Sequence, residues 1–345
     1  MNPHALFIIT SSLATGTIIT LMSHHWLLAW VGLEINTLAI IPLMTKTPHP
    51  RAIEAATKYF LTQAAASAMI LFSSTLNAWT TGEWAISHLT DPTSSIMLSI
   101  ALAMKLGLAP LHFWLPEVLQ GLTLINGLIL STWQKLAPMA LFLQLSQSLN
   151  LNLIMALGIT STLIGGWGGI NQTQLRKVMA FSSIAHLGWM VSIMKFAPQL
   201  TLLNLSLYLI MTSTMFLTLI SLSAKKMSEL STSWPKAPAL AATSMLTLLS
   251  LSGLPPLSGF IPKWLIAQEL IKQNATPFAT IILLSTLLSL FFYLRLTYIM
   301  TLTLAPSPST STVPWRLKYK NLPPALIMLS LALIPITPTT LSLIS

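Results

Sequence analysis

Long apolar runs, separated by short polar connections, are the feature that most limits what this chain can fold into. Of its 345 residues, 54% are hydrophobic and only 7% are charged, whereas soluble domains carry about 25% charged residues. A helix needs about 20 apolar residues to cross a membrane, and these runs are far longer than the roughly 10-residue strands of a membrane β-barrel. The sequence therefore predicts an all-α, polytopic membrane protein.

The turn residues that bound the apolar runs predict eleven membrane-spanning helices. We expect no cleavable signal, because residues 1–21 lead into a span without a basic segment or a processing site. Asp91-Pro92 and Thr276-Pro277 mark two helix starts, since each places a capping side chain before a proline. The predicted spans lie near residues 3–22, 25–45, 56–79, 93–122, 125–147, 150–171, 175–195, 199–223, 238–270, 275–304 and 322–343.

A repeated segment interrupts the fourth and the ninth span. Residues 107–117 read GLAPLHFWLPE, and residues 253–263, which lie 253 − 107 = 146 positions later, read GLPPLSGFIPK. Proline lacks a backbone donor and clashes with the carbonyl four residues earlier. Both helices are therefore predicted to break at the shared prolines, Pro110, Pro116, Pro256 and Pro262. Paired interruptions in two halves of a membrane protein indicate a binding site between internal repeats.

The distance between the two broken segments predicts the symmetry of the chain. An offset of 146 residues covers five spans, and an odd number of crossings makes the two copies run in opposite directions. We therefore expect inverted five-helix repeats, approximately at 1–147 and 150–304, followed by one further helix at 322–343. All of them belong to a single membrane domain, 1–345.

Basic residues in the connecting loops indicate the orientation. If each broken segment crosses the membrane once, eleven basic residues lie on one side and two, Lys195 and Lys272, on the other; a hairpin at each break would divide them seven to six. The uneven division fits the positive-inside rule, so we expect the N-terminus inside and the C-terminus outside. The eleven are Lys46, Arg51, Lys58, Arg176, Lys177, Lys225, Lys226, Lys236, Arg316, Lys318 and Lys320.

The net charge of +10 does not indicate a nucleic-acid partner, because most basic residues lie in loops where they orient the spans. The loop 305–321 ends in WRLKYK, in which Trp315 and Tyr319 alternate with three basic residues. Such a pattern predicts an interfacial anchor on anionic lipid headgroups.

Four basic residues lie within predicted spans, since 17 − 13 leaves Lys105, Lys135, Lys263 and Arg295. A charge near the bilayer centre costs at least about 2.5–3.5 kcal/mol, so we expect the three lysines to face a polar interior. Two interpretations of Arg295 stay open: its side chain reaches the interface, or it pairs with a neighbouring helix.

Glu34 lies in the middle of the second span, with no basic residue within one helical turn, so its partner must come from another helix. His112 lies within the first break, and His186 lies in the seventh span. The alternatives are a buried ion pair that only fixes helix packing, and histidines that are only hydrogen-bonded interior side chains. We interpret these groups as proton carriers, with Glu34, Lys105, Lys135 and Lys263 as the central residues and His112 and His186 as a relay.

Lysine suits proton transfer because its charge responds to its surroundings. Desolvation lowers a lysine pKa by several units, and a nearby carboxylate raises it again. A carboxylate at about 4 Å, in an effective dielectric of 20, contributes about 4 kcal/mol, or roughly three pKa units. Moving one carboxylate can therefore load or unload a proton.

No residue pattern indicates a redox cofactor or a metal. Cysteine is absent, which excludes cysteine-ligated iron–sulfur clusters, and no phosphate loop or dinucleotide fingerprint occurs. His24 and His25 have no further ligands at a suitable spacing. The GGWGG run at 165–169 lies within an apolar run, which indicates helix packing by small residues. We expect no cofactor and no metal on this chain.

Six segments, spread over essentially the full length, carry a family resemblance. They read MNPHALF, HHWLLAWVGLEINTLAIIPLM, HPRAIEAATKYFLTQA, KLGLAPLHFWLPEVLQGL, LRKVMAFSSIAHLGWM and LSGLPPLSGFIPKW. Together they resemble the antiporter-like, proton-pumping subunits of vertebrate mitochondrial respiratory complex I, which are related to cation/proton antiporter subunits.

The resemblance implies a proton-translocating subunit of an enzyme, NADH:ubiquinone oxidoreductase, that performs no redox chemistry itself. It implies Glu34 and Lys105 as a charged pair, Lys135 as the central lysine and Lys263 as the lysine of a broken helix. NAD, FMN, iron–sulfur clusters and ubiquinone would belong to other subunits. The larger family commonly has fourteen helices, so three N-terminal helices are expected to be missing here.

The same resemblance implies partners and a location. The partners would be other membrane-arm and accessory subunits of complex I and inner-membrane lipids, with cardiolipin foremost. The location would be the mitochondrial inner membrane, with the N-terminus and the basic loops in the matrix and the C-terminus in the intermembrane space. A stand-alone cation/proton antiporter and a structural scaffold with vestigial charges are the alternatives.

Overall fold

The computed structural model describes residues 2–47, 49–255, 257–301, 327, 330 and 331. Apart from two isolated β-bridges, the regular structure of these residues is helical, which confirms the predicted all-α class. Six of the helices are long and apolar enough to cross a membrane. Pro256, the loop with Trp315 and Tyr319, its bases Arg316, Lys318 and Lys320, and nearly all of the span predicted at 322–343 lie outside the described residues.

The chain divides into two compact units, Met1–Ser161 and Thr162–Ser345, and α8 (Leu151–Gly169) begins in the first and ends in the second. The first unit contains α1 (Pro3–Met22), α2 (Trp26–Met44), α3 (Pro50–Thr81), α4 (Pro92–Leu106), α5 (Trp114–Gly121), α6 (Leu124–Ser131), a 3₁₀ turn (Trp133–Lys135) and α7 (Leu136–Gln144). The second contains α9 (Leu175–Ile193), α10 (Pro198–Leu222), α11 (Met227–Ser231), α12 (Ser233–Lys236), α13 (Pro238–Ser252), α14 (Phe260–Lys272) and α15 (Thr276–Thr301).

The broken segment of the first unit runs the length of α3. Near its start, the Asn77 side chain at the end of α3 donates to the His88 carbonyl at 3.0 Å. At its end, a Cβ atom on Gly121 would lie 2.6 Å from both the Arg51 carbonyl oxygen and the Ala55 Cβ, at the start of α3. Helices α4 and α5 together therefore pass from one end of α3 to the other, as a single crossing requires and a hairpin does not.

Glycine, and not proline, ends the first arm of each broken helix. Gly107 and Gly253 have φ angles of 78° and 81° and cap α4 and α13 in the left-handed conformation. The Leu108 amide then bonds back to the Ala103 carbonyl at 2.9 Å, in the pattern by which glycine terminates helices. A residue without Cβ adopts this conformation at no steric cost, so the break begins three residues before Pro110.

The prediction that Pro116 and Pro262 break helices is wrong. Each is the third residue of the helix that follows the gap, α5 and α14 respectively. The first four amides of a helix have no intrahelical partner, so a proline there removes a donor that the helix does not use. These prolines therefore allow the second arms to begin where they do.

The fifth predicted span is also interrupted, which the sequence interpretation missed. Helix α6 ends at Ser131, a 3₁₀ turn covers Trp133–Lys135, and α7 begins at Leu136. Pro138 explains the change, because it cannot donate to the Gln134 carbonyl and its ring crowds that carbonyl. The backbone tightens into a 3₁₀ turn, a form that often marks a hinge within a helix.

Small residues bring helices of the second unit into close contact. A Cβ on Gly165 would lie 2.6 Å from the Ala185 amide nitrogen on α9, and one on Gly169 would lie 2.7 Å from the Phe292 ring on α15. This confirms the packing role predicted for the GGWGG run. Helix α9 itself is buried at every residue from Ser182 to Ile193, so it is surrounded by protein on all sides.

Candidate functional site

Two of the predicted lysines, Lys105 and Lys135, line one small cavity in the first unit. Their side chains are only 5% and 3% exposed. The cavity offers about 10 Å³ to the centre of a solvent molecule, which is about what one water molecule needs. Other polar side chains on its wall belong to Asn36, Thr37, Tyr59, Gln63, Trp114 and Gln134.

Lys105 lies in the last turn of α4, where the helix dipole favours a positive charge. The neighbouring carbonyls receive donors from other segments: the Trp114 indole donates to Met104 at 3.1 Å, and the Gln63 amide to Lys105 at 3.5 Å. The Lys105 Nζ atom has no hydrogen-bond partner among the described residues. Because a buried ammonium is costly without compensation, this nitrogen keeps its proton only with the help of a counter-charge or water.

Glu34 supplies a counter-charge to Lys105, but not through direct contact. Its half-buried carboxylate acts on Lys105 and on the Tyr59 hydroxyl through electrostatics. Within the described part of the chain, no direct ion pair joins Glu34 to Lys105. The carboxylate instead accepts a hydrogen bond from the Thr37 hydroxyl at 3.1 Å, one turn further along α2.

His112 lies in the gap between α4 and α5 and is 5% exposed. Its ring centroid is 4.4 Å from that of Phe113, and it interacts with the backbone of Pro110. The residues that line the Lys105 cavity do not include His112. The first unit thus brings together Glu34, Lys105 and Lys135, with His112 nearby in sequence but outside the cavity wall.

In the second unit, the side chain of Lys263 on α14 reaches back to the end of α13. Its ammonium donates to the Ser252 carbonyl, the last of α13, at 2.7 Å. The side chain lies across Gly253, where an added Cβ would be 2.8 Å from both Cδ and Nζ of Lys263. The ammonium therefore lies at the C-terminus of α13, where the helix dipole is negative and stabilises a positive charge.

His186 lies in the same unit, on the buried helix α9, and is 5% exposed. Its ring centroid is 5.7 Å from that of Tyr208 on α10. The second unit therefore contains a buried histidine and a lysine at a helix break.

Two further basic residues named from the sequence, Arg295 and Lys58, have structural partners. Arg295 donates to the Ile170 carbonyl, just beyond the end of α8, at 2.6 Å, so it pairs with a neighbouring segment instead of extending to the interface. Lys58 follows Glu54 by four residues on α3, a spacing at which side chains meet, and it bonds to Glu54 and to Glu117 on α5, both at 2.6 Å. Among the described residues, no cluster of three histidine or acidic side chains is arranged to hold a metal ion.

Sequence reasoning missed the polar side chains that complete the cavity, above all Asn36, Gln63 and Gln134. A signal was present for one of them, because Pro138 predicts a distorted turn at Gln134, four residues earlier. Asn36 lies two residues after Glu34 on α2. Gln63 gave no signal of its own, since an amide within an apolar helix is compatible with many environments.

Comparison with known proteins places this geometry in a family. Residues 23–289 match the family model described as NADH:quinone oxidoreductase/Mrp antiporter, TM, and residues 290–341 match NADH dehydrogenase subunit 2 C-terminus. NADH-ubiquinone oxidoreductase chain 2 of Aquarana catesbeiana is 66% identical over 99% of this chain and 100% of its own length. The same-named chain of Xenopus laevis is 64% identical over 99% and 100%. The chain belongs to the NADH-ubiquinone oxidoreductase chain 2 family.

A solved structure has the same fold. It is a chain of respiratory complex I from Thermus thermophilus, with a TM-score of 0.86 and 27% identity, and the match covers 98% of this chain and 79% of that one. The family resemblance predicted from the six sequence segments is therefore confirmed, and so is an antiporter-like membrane fold.

Proposed function

We propose that this chain translocates protons as a membrane subunit of NADH:ubiquinone oxidoreductase, through Glu34, Lys105, Lys135 and Lys263, with His112 and His186 as relay positions. The observation that carries the proposal is the cavity in the first unit. Two buried lysines share a space of one water molecule there, and a carboxylate acts on one of them from a distance.

The geometry supports a charge-controlled transfer. An approach of Glu34 to Lys105 stabilises the ammonium, and a separation favours release of its proton. A water molecule in the cavity accepts this proton and passes one on to Lys135, so that the number of protons is conserved. Lys263, whose side chain lies on the Ser252 carbonyl, is the proposed carrier in the second unit, and it accepts a proton only after its ammonium has released one.

The proposal includes the assembly and its location. The relatives are named as a chain of NADH-ubiquinone oxidoreductase, so we propose other membrane-arm and accessory subunits of that complex as partners, in the mitochondrial inner membrane. Cardiolipin is the proposed lipid contact of the basic loops. NAD, FMN, iron–sulfur clusters and ubiquinone are assigned to other subunits, with no cofactor or metal on this chain.

We also propose eleven spans, inverted five-helix repeats and basic loops in the matrix. Two local contacts support the proposed grouping of loops at the two ends of the spans, without reference to the matrix side. The Leu175 amide donates to the Lys225 carbonyl at 3.1 Å, which brings the start of α9 and the loop after α10 to the same end of the second unit. In the first unit, the Trp26 amide donates to the Trp84 carbonyl at 3.1 Å, so the loops before α2 and after α3 also share one end.

Paired substitutions test the proton-transfer role. Lys105→Met removes the proton-carrying group and keeps a similar stem, whereas Glu34→Gln keeps the shape and removes the charge. Each single variant should lower NADH-driven proton uptake by reconstituted complex at equal assembly, and the double variant should lose much less than the two losses combined, since both remove one interaction.

An ion pair away from the cavity provides a control. Lys272 and Glu269 are 3.5 Å apart, and their side chains are 62% and 22% exposed. The same substitutions, Lys272→Met and Glu269→Gln, should leave proton uptake unchanged, because surface pairs contribute little. Normal uptake in both Glu34→Gln and Lys105→Met would reduce Glu34 and Lys105 to a packing pair.

Purification in mild detergent separates the proposal from a stand-alone antiporter. Co-migration of the chain with NADH dehydrogenase activity supports the proposed subunit. Cation-driven proton exchange by the purified chain alone would instead support the antiporter.

A further inference from the structure

The 3₁₀ turn at Trp133–Lys135 attaches to two neighbouring helices and to the cavity at once. A 3₁₀ helix has three residues per turn, so three consecutive side chains point in three directions about 120° apart. Trp133 donates through its indole nitrogen to the Leu13 carbonyl on α1, at 3.4 Å. Gln134 reaches α2, and Lys135 lines the cavity. One turn of backbone thus fixes the position of Lys135 against two helices.

Gln134 makes the stronger of these attachments. Its side-chain nitrogen donates to the backbone carbonyl of Asn36 and to the Asn36 side-chain oxygen, both at 3.2 Å. Asn36 is 1% exposed, so both bonds are shielded from competing water. An amide nitrogen has two hydrogens, so it can donate to both acceptors, which belong to a single residue of α2.

The two partners adjoin the proposed proton carriers in the chain. Asn36 follows Glu34 by two residues on the same helix, and Gln134 precedes Lys135 by one. A shift of this part of α2 that changes the distance from Glu34 to Lys105 must therefore either pull the turn with it or break both bonds. The turn before Pro138 lacks regular α-helical hydrogen bonds. A displacement of α2 therefore moves this turn more easily than it would move an intact helix.

We propose that the Asn36–Gln134 contact is a positioning link that transmits displacement of the α2 segment bearing Glu34 to the turn bearing Lys135. The inference rests on the proposed proton transfer through these two residues. Gln134 does not carry a proton itself. It makes the position of Lys135 depend on the position of Glu34. The environment of the proton donor, Lys105, and the position of the acceptor, Lys135, therefore change together.

Replacing Gln134 by methionine tests the link, because the side-chain length is kept and both donors are lost. Reconstituted complex with Gln134→Met should show a roughly tenfold lower rate of NADH-driven proton uptake, the factor that corresponds to losing one to two ordinary hydrogen bonds. It should also take up fewer protons per NADH oxidised, a ratio that a uniform loss of assembled complex leaves unchanged. If Gln134→Met does not assemble, Gln134→Asn serves in its place. It keeps the amide on a side chain that is one methylene shorter, and it should also lower the rate and the number of protons per NADH.

A matched control lies on the same helical segment. Gln144, at the end of α7, also donates through its side-chain amide to a backbone carbonyl on α1, that of Leu21, at 3.5 Å. Gln144→Met should leave both the rate and the ratio of protons to NADH unchanged. Equal behaviour of the assembled Gln134 variants and the Gln144 variant would overturn the inference.

A double variant separates positioning from general damage. If Gln134 acts by coupling Lys135 to Glu34, Gln134→Met should add little in a Glu34→Gln background, whereas independent structural damage would multiply the two losses. Multiplied losses would overturn the link. Normal pumping by Glu34→Gln and Lys135→Met would overturn the proposed function itself, whereas loss in those two variants with normal pumping in Gln134→Met would overturn the link alone.

Discussion

Replacing Gly253 by alanine should disturb Lys263 without changing the lysine itself. Gly253 has a φ angle of 81°, and its added methyl group would lie 2.8 Å from the Cδ and Nζ atoms of Lys263. The lysine must move away from this methyl group. Because its ammonium is held on the Ser252 carbonyl at 2.7 Å, the movement stretches or breaks that hydrogen bond.

Gly253→Ala should lower stability in two ways, through the backbone and through Lys263. An L residue in the left-handed conformation costs about 1–2 kcal/mol, and the loss of a hydrogen bond to a charged group costs roughly 1.5–3 kcal/mol. Gly82 separates the two effects, since its φ angle is 77° and nothing lies within 4 Å of an added Cβ. Gly82→Ala should therefore show only the backbone cost, and the difference between the two variants measures the Lys263 contact.

The assay compares thermal stability and NADH-driven proton uptake of complexes that contain each variant. Gly82→Ala should lower stability slightly and leave uptake normal. Gly253→Ala should lower stability further and reduce uptake, and Lys263→Met should cause little additional loss in that background. If Gly253→Ala pumps as well as Gly82→Ala, the contact between Lys263 and Ser252 has no part in proton transfer.

Two further predictions concern the loops. The Ser94 and Thr93 hydroxyls donate to Asp91 and lower the pKa of its carboxyl group, so its capping of α4 should be complete above the ordinary aspartate value of about 3.9 and be lost as pH falls through the lowered value. Amide hydrogen exchange at residues 93–95, compared with Asp91→Ala at each pH, checks this; equal exchange at neutral pH would contradict it. Single cysteines at positions 46 and 226 should label from the same side of sealed membranes, and labelling from opposite sides would exclude the eleven-span topology.

The sequence predicted the helices well where apolar length alone decides them. The span predicted at 3–22 is α1, and the spans near 150–171 and 199–223 differ from α8 and α10 by one or two residues. Helix interruptions were harder, because proline and glycine both occur in the repeated segments. Proline at the third position does not interrupt the helix that contains it, although at Pro138 it disturbs the turn before that helix. The glycine at 107, by contrast, ends a helix, and only the backbone conformation separates these cases.

The environment of each charge depends on tertiary contacts that spacing does not contain. Glu117 and Lys263 occupy the same place in the two repeated segments. The structure nevertheless gives Glu117 an ion pair with Lys58 and places Lys263 on a helix terminus. In the first unit the lysine beside the break is Lys105, which stands before the glycine instead of after it. Each unit therefore places a lysine ammonium at the C-terminal end of the first helix arm. Lys105 belongs to that arm itself, whereas Lys263 reaches it from the second arm.

Helix α9 also has a consequence for how the protein is made. It has 19 residues, but with Arg176, Lys177, three serines and His186 it is not among the helices apolar enough to cross a membrane by themselves. Its residues from Ser182 to Ile193 are buried by protein and are not exposed to lipid. We therefore expect α9 to become stable in the membrane only after the later helices that pack against it, α10, α14 and α15, have also been synthesised.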